Sequence, residues 1–324
     1  MDFSVVFAGT AASVPTSDRG LAALVVRRGG DTLLFDCGEG TQRQMIRSIG
    51  LADLEHVFIT HFHADHVLGL PGMLKTFALR GREVPLSVYG PRGLSRLMHT
   101  LEPLYAGLPY ELVIRELEFA EPVRFAGYEV VPFPVEHQGV AAGYAVVEGG
   151  RPGRFDEQVA VELGVKPGPQ FGVLQRGGSV TTAAGRHVTP DQVLGEARLG
   201  RKVVYTGDTA PCESVRIAAF GADLLIHESS FGDDEAARAA ETRHSTARQA
   251  AEIARAAEVK LLCLNHISAR YFGKELRSEA REVFANTELP RDFDSVEIPF
   301  PERGEPKLVK SRDAGRAPLP VAGD

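Results

Sequence analysis

The apolar run Val57-Phe58-Ile59 leads without a break into Thr60-His61-Phe62-His63-Ala64-Asp65-His66, and this junction constrains the chain more than any other stretch. Core packing has no use for so many ionisable side chains at the end of a strand, because each one buried without a partner costs free energy. In extended backbone alternate side chains share a face, so His61, His63 and Asp65 converge, and a turn after them brings His66 alongside. Imidazole nitrogens and carboxylate oxygens at ~2.0–2.2 Å are ligands that suit zinc. Farther along, His137, Asp208 and His266 each follow an apolar run, at 130–135, 203–206 and 261–264. A fold that uses them all must bring the ends of several strands to one edge.

The rest of the chain supplies those strands. Short β-rich runs at 3–8, 21–27, 32–35, 56–59, 86–89, 128–133, 203–206 and 261–264 alternate with helical stretches at 40–48, 71–79, 91–102, 213–220 and 246–257. This alternation predicts an α/β architecture. At 324 residues, 44% hydrophobic and 24% charged, the chain can fill one large core or two small ones. Two segments break the pattern: 151–178, rich in Gly and Pro, reads as an insertion, and 301–324 reads as a disordered tail. Cys37, Cys212 and Cys263 are scattered, lack the CxxC spacing of a metal site and read as reduced thiols. No membrane-length apolar run and no basic-then-apolar leader is present, so the expected location is the cytoplasm and no membrane partner is expected. A net charge of −7 argues against wholesale electrostatic capture of nucleic acid, so any RNA contact is expected to be local or shared between subunits.

The set Asp36, His61-x-His63-x-Asp65-His66, His137, Asp208 and His266 resembles the five-motif signature of the metallo-β-lactamase superfamily. The resemblance implies an αβ/βα sandwich, two mixed sheets face to face with helices outside, over a catalytic domain at 1–300. It also implies two zinc ions per subunit: His61, His63 and His137 on one, Asp65, His66 and His266 on the other, Asp208 bridging, and Asp36 supporting the ligands from behind. Such a site supports hydrolysis. Asp65 reads either as a ligand alone or as a ligand that also orients the attacking water.

Within that superfamily, further features resemble ribonuclease Z. His227-Glu228-Ser229-Ser230 is similar to the family's His-Glu-Ala-Thr motif, and His244-Ser245-Thr246 matches its His-Ser-Thr motif. The resemblance implies that Glu228 holds the imidazole of His244 and that His244 protonates the departing ribose oxygen. Taken alone, His244-Ser245-Thr246 also reads as a helix start with a capping hydroxyl. After His266, Ser268 and Arg270 stand where the family contacts phosphate, a group suited to guanidinium. The insertion at 151–178 resembles the family's flexible tRNA-gripping arm, with basic Arg151, Arg154, Lys166 and Arg176 balanced by Glu148, Asp156, Glu157 and Glu162 over 147–178. The loop Pro15-Thr16-Ser17-Asp18-Arg19-Gly20 departs from the family's Pro-x-Lys-x-Arg-Asn pattern at Ser17 and Gly20, which leaves discrimination against CCA-bearing tRNA open.

The implied activity is removal of the 3′ trailer from precursor tRNA, leaving a 3′-hydroxyl on the tRNA and a 5′-phosphate on the trailer, by a homodimer. The alternative is a small-molecule metallohydrolase of the same fold acting on a thioester, lactam, sulfate ester or phosphodiester. A non-catalytic RNA-binding protein of this fold would be expected to have lost ligands, and here every ligand position is filled.

Overall fold

The structure is a computed structural model that describes residues 2–51 and 54–311. Strands β1 (Phe3–Gly9), β2 (Ala23–Arg28), β3 (Asp31–Phe35), β4 (Leu54–Phe58), β5 (Leu86–Gly90) and β6 (Leu112–Glu116) open the first sheet. The chain then builds β7 (Val123–Phe125), β8 (Tyr128–Pro134) and β9 (Ala142–Glu148). A short hairpin, β10 (Val180–Thr181) and β11 (His187–Val188), precedes β12 (Lys202–Tyr205), β13 (Leu224–Glu228), β14 (Leu261–Asn265) and β15 (Thr287–Glu288). Finally β16 (Ser295–Glu297) and β17 (Lys307–Val309) return to the first sheet. The sheets run β17-β16-β1-β2-β3-β4-β5-β6 and β15-β14-β13-β12-β9-β8-β7, the expected two-sheet sandwich.

Composition explains the central strands. β13 and β14 carry the unbroken runs Leu224-Leu225-Ile226 and Leu261-Leu262-Cys263-Leu264, all buried, and they pair in parallel, as strands covered on both faces do. One such cover is the helix Ala247–Ala256, which buries Ala247, Ala250, Ala251 and Ala254. Aromatic rings fill the space between the sheets near the functional edge. Phe35 stacks on Phe58 at 5.1 Å, and Tyr144 from β9 lies 5.6 Å from Phe35 and 5.4 Å from Phe58. The polar ends of these tyrosines then bond across the sandwich: Tyr144 Oη donates to the Ile59 carbonyl at 2.7 Å and Tyr205 Oη to Asp36 Oδ2 at 2.9 Å. Among the described residues no helix is long and apolar enough to cross a membrane.

The structure corrects two expected boundaries. The insertion does not stop at Gly178: residues Val147–Arg201, with Phe125–Glu129, form a compact unit of their own. Nor is it an extended projection. Helices Glu157–Glu162 and Pro169–Gln175 and the β10–β11 hairpin enclose a core of Ala160, Val165, Leu174, Val180, Val188 and Val193, against which Phe155 and Phe171 pack. Glycines and prolines signalled turns here, and the apolar residues between them, spread too thinly to show a period, close the core. At the base of the unit Arg201 grips Glu148 with two bonds, Nε to Oε2 at 2.7 Å and Nη2 to Oε1 at 2.8 Å, and both residues are buried. The second correction concerns 301–324. Lys307–Val309 pairs with Ser295–Glu297, with Leu308 opposite Val296, so the first sheet extends into the segment expected to be disordered. Residues 312–324 of that expected tail lie outside the described residues.

The small core gives a test. Leu174→Ala is expected to cost the inserted unit about 2–5 kcal/mol, so amide protons over 157–193 should exchange through local unfolding while those of β4 and β14 stay protected. Hydrogen exchange read by mass spectrometry checks this, and an equal loss of protection everywhere would show one cooperative unit instead.

Candidate metal centre

Every residue singled out as a ligand, and the supporting Asp36, sits just past the carboxyl end of a strand. Asp36 follows β3, His61 to His66 follow β4, His137 follows β8, Asp208 follows β12 and His266 follows β14. The backbone turns sharply at these points. Asp36 and His266 take left-handed φ values of 59° and 57°, uncommon for residues with a Cβ, and Gly207 does so at 60° just before Asp208. A Cβ on Gly207 would stand 2.8 Å from the Thr60 side chain, so only glycine lets β12 turn its aspartate into the site.

The turns bring together the two expected groups. His61 Nε2 lies 2.9 Å from His63 Nδ1, His137 Nε2 lies 3.2 Å from the same atom, and Asp208 Oδ2 is 3.7 Å from His61 Nε2 and 4.0 Å from His137 Nε2. In the second group Asp65 Oδ2 is 3.5 Å from His66 Nε2 and 3.3 Å from His266 Nε2. Asp208 stands in both groups, with Oδ2 at 3.5 Å from His66 Nε2 and Oδ1 at 3.3 Å from His266 Nε2. Atoms bound tetrahedrally at ~2.0 Å to one ion are separated by ~3.3 Å, and these spacings bracket that value.

What aims the nitrogens is the bond each ring makes on its other side. His66 Nδ1 donates to Asp36 Oδ2 at 2.8 Å and His137 Nδ1 to the Arg243 carbonyl at 3.1 Å, and those partners only accept. The Thr60 hydroxyl donates to Asp36 and accepts from His61 Nδ1 at 3.0 Å, while the Ser230 hydroxyl donates to Glu228 Oε2 and accepts from His266 Nδ1 at 2.9 Å. Each Nε2 is therefore left with its lone pair directed inward.

The buried His66 Nε2 and Asp208 Oδ1 have no hydrogen-bond partner in the protein, and the inward nitrogens of His61, His137 and His266 have only other candidate ligand atoms beside them. A divalent cation removes both problems, so the residues present fit a metal pair. Burial alone would favour the neutral acid at Asp208, but the imidazoles of His266 and His66 outweigh it and hold the carboxyl well below its ordinary range.

Beside this centre stands the Glu228–His244 pair. Glu228, the last residue of β13, is buried and accepts from Thr209 N at 3.0 Å, Ser230 N at 3.1 Å, Ser230 Oγ at 2.8 Å and His244 Nδ1 at 2.7 Å. Burial works against charge on His244, yet the Glu228 carboxylate prevails and raises its pKa to about 9. The His244 ring lies 4.9 Å from that of His137 and 5.7 Å from that of His266, so it touches ligands of both groups. The plainer reading of His244-Ser245-Thr246 also holds, for a different residue. Thr246 caps the helix Ala247–Ala256 with a capping box to Gln249, and the cap fixes the turn from which His244 projects.

Ser268 and Arg270 lie on the loop after His266, but Arg270 is engaged: its Nη1 pairs with Glu235 at 2.8 Å, and Ser268 Oγ accepts from Arg270 N at 3.4 Å. Arg19 of the 15–20 loop is also committed, donating to Thr10 Oγ1 at 2.6 Å and to the Pro290 carbonyl at 2.9 Å. Residues that the sequence reading passed over are Thr60, Tyr205, Ser230 and the Arg243 carbonyl. Only Ser230 carried a signal, its place inside the motif that contains Glu228.

Comparison with known proteins places the chain in a family. A family model described as Metallo-beta-lactamase superfamily matches residues 18–266. A protein of Methanosarcina acetivorans named Ribonuclease Z is 44% identical over 300 residues, 91% of this chain and 98% of that one. Another of the same name from Gemmatimonas aurantiaca is 47% identical over 307 residues, 93% and 98% respectively. Among solved structures, the short form of human tRNase Z superposes with a TM-score of 0.66 at 29% identity, covering 91% of this chain and 99% of that one.

If the inward-facing atoms are a metal site, divalent ions should stabilise the fold by about 2.7 kcal/mol at a free concentration one hundred times Kd. Thermal melts with and without chelator measure this. Asp208→Ala, which removes a carboxylate from both groups, should abolish the metal-dependent rise in Tm, and an undiminished rise would place the ion elsewhere.

Proposed function

This chain belongs to the ribonuclease Z family of the metallo-beta-lactamase superfamily, and from that premise we propose that it is a zinc-dependent endoribonuclease removing the 3′ trailer from precursor tRNA. The observation that carries the reading is the buried Glu228–His244 pair set against both ligand groups, since the superfamily's fold alone does not name a substrate. His61, His63 and His137 would hold one zinc, Asp65, His66 and His266 the other, and Asp208 both. Ions so held lower the pKa of water and neutralise charge gathering on a phosphoryl group.

The protein's own groups account for the remainder. Asp36 and Ser230 keep the imidazoles of His66 and His266 in the tautomer that ligation needs. Asp65, between His66 and His266, would be a ligand and would also orient the attacking water. His244, kept protonated by Glu228, gives its proton to the ribose 3′-oxygen as the P–O bond breaks. The tRNA then ends in a 3′-hydroxyl and the trailer begins with a 5′-phosphate. Ser268 and Arg270 would bind the substrate backbone, Arg270 exchanging Glu235 for phosphate. The inserted unit, 147–201, would grip the tRNA body, and the resemblance to the short form implies a cytoplasmic homodimer.

Incubation of zinc-loaded protein with a 3′-extended precursor, followed by mapping of both new ends, tests the proposal. Hydrolysis of a small aryl phosphodiester with no cleavage of precursor would favour the small-molecule alternative. His244→Ala should keep its metal and its affinity for precursor but cleave about 10²–10⁴-fold more slowly, and an unchanged single-turnover rate would dismiss it as the acid. Replacing residues 149–200 with a short Gly-Ser linker should spare hydrolysis of the small phosphodiester and lower precursor cleavage at least tenfold, about 1.4 kcal/mol of lost binding. Equal losses on both substrates would mean that the unit merely supports the fold.

A further inference from the structure

Arg243 closes the helix Ala236–Thr242 in the left-handed conformation, at φ 57° and ψ 48°. Helices commonly end on glycine in this conformation, because a Cβ strains it. The turn itself is fixed by the backbone, with Arg243 N bonded to the Ala240 carbonyl at 3.3 Å and His244 N to the Ala239 carbonyl at 2.8 Å. A glycine would make the same turn and would keep the carbonyl that holds the His137 ring. What only arginine adds is the guanidinium.

That guanidinium is held in place but not neutralised. Its Nη1 donates to the His137 carbonyl at 3.1 Å, while His137 Nδ1 donates to the Arg243 carbonyl, so the two residues hold each other twice. One bond to a neutral acceptor leaves most of the five N–H groups unused. Arg201, Arg216, Arg248, Arg270 and Arg281 each bind a carboxylate, whereas Arg243 is exposed and pairs with none among the described residues. Glu136, beside His137, and Glu241, two residues before Arg243, are exposed and make no ion pair with it. A fork of donors that is anchored, uncompensated and next to a candidate metal centre suits a phosphate.

Its place decides which phosphate. The scissile group must lie where the ligand atoms converge, on the Nε2 side of His137, and Arg243 stands behind that ring, on the Nδ1 side. In an in-line displacement the leaving oxygen departs away from the attacking water, and His244 would meet that oxygen. The ribose that carries it then lies against His244. The residue before His244 meets the next group along the strand, which is that ribose's own 5′-phosphate. We propose that Arg243 binds the backbone phosphate one nucleotide 5′ of the scissile one and so holds the departing 3′-oxygen on His244, an assignment that rests on His244 as the acid of the function proposed above. Binding energy from a linkage that does not react serves to align the one that does.

Two precursors test this. They differ only in the linkage one nucleotide 5′ of the mapped bond, which is phosphate in one and neutral methylphosphonate in the other, with a 2′-O-methyl group beside it in both for stability. For the wild type, kcat/KM should fall about tenfold or more on the neutral linkage, the worth of a hydrogen bond to a charged group. Arg243→Gly, which suits the left-handed turn, should lose about as much on the phosphate linkage and then differ less than about twofold between the two substrates. Arg243→Lys, which keeps the charge without the fork, should recover part of the discrimination. Arg238→Ala, a change at an exposed arginine of the same helix, should discriminate as the wild type does. Each protein is compared with itself on two substrates, so a general loss of metal or stability cancels from the ratio. A merely structural arginine would lower both rates in Arg243→Gly and leave the ratio at its wild-type value, which would overturn the proposal, as would a wild type indifferent to the linkage. If no form cleaves either precursor, the proposed function fails, and anisotropy of a labelled RNA pentamer ending in a 3′-hydroxyl, with the same pair of linkages between its last two nucleotides, decides for the arginine. A wild-type preference for the phosphate that Arg243→Gly lacks would support phosphate binding there, and equal affinities in the wild type would end it.

Discussion

The candidate metal centre depends on one buried carboxylate that is not itself among the candidate ligands. Asp36 is fully buried and accepts from Thr60 N at 2.8 Å, the Thr60 hydroxyl at 2.9 Å, His66 Nδ1 at 2.8 Å and Tyr205 Oη at 2.9 Å. These donors come from both sheets, so the same group closes the sandwich at its functional edge and sets the imidazole that faces inward. Losing it would leave those donors unpaired in the interior, a cost of ~1–3 kcal/mol for each. Stability and ligand geometry are therefore joined at one residue.

The same logic runs through the rest of the site. Thr60, Ser230 and the Arg243 carbonyl each hold the outer nitrogen of a ring, and two inward atoms, His66 Nε2 and Asp208 Oδ1, are left without hydrogen-bond partners. A chain folded only for stability would not leave buried polar atoms without partners, so the frustration that remains marks where function overrides it. The left-handed turns at Asp36, Arg243 and His266 belong to this pattern, since strain of ~1–3 kcal/mol at such residues persists only where surrounding contacts enforce it.

How much of this was legible in the sequence follows from which interactions are local. His61, His63, Asp65 and His66 fall in one short run after a strand, which announced a shared site, but Asp65 and His66 lie on the helical turn Ala64–Val67 and not in the extended backbone that alternation assumed. His137, Asp208 and His266 each follow an apolar strand, so their assembly could be read once strand ends were taken to share an edge. Ser230 and Tyr205 gave little sign, because a serine or tyrosine near a strand has many uses and its partner lies far away in sequence: Tyr205 meets Asp36 across 169 residues. The inserted unit was visible as a break in pattern but not in its extent, because its apolar residues are interrupted by turns. The end of the chain misled for a related reason: Leu308 finds its partner, Val296, only when β16 and β17 pair.

The place where the inserted unit joins the sandwich has a consequence of another kind. It leaves the second sheet from β9 and returns to β12, which are neighbours in that sheet, so the ends of the inserted stretch meet at adjoining strands. A connection between neighbouring strands can lengthen at little entropic cost, since closure grows only with the logarithm of length. The unit also carries its own core, so its sequence can drift without repacking the sheets. What is carried at that one junction can thus be exchanged or enlarged while the strand ends that present the candidate ligands stay as they were.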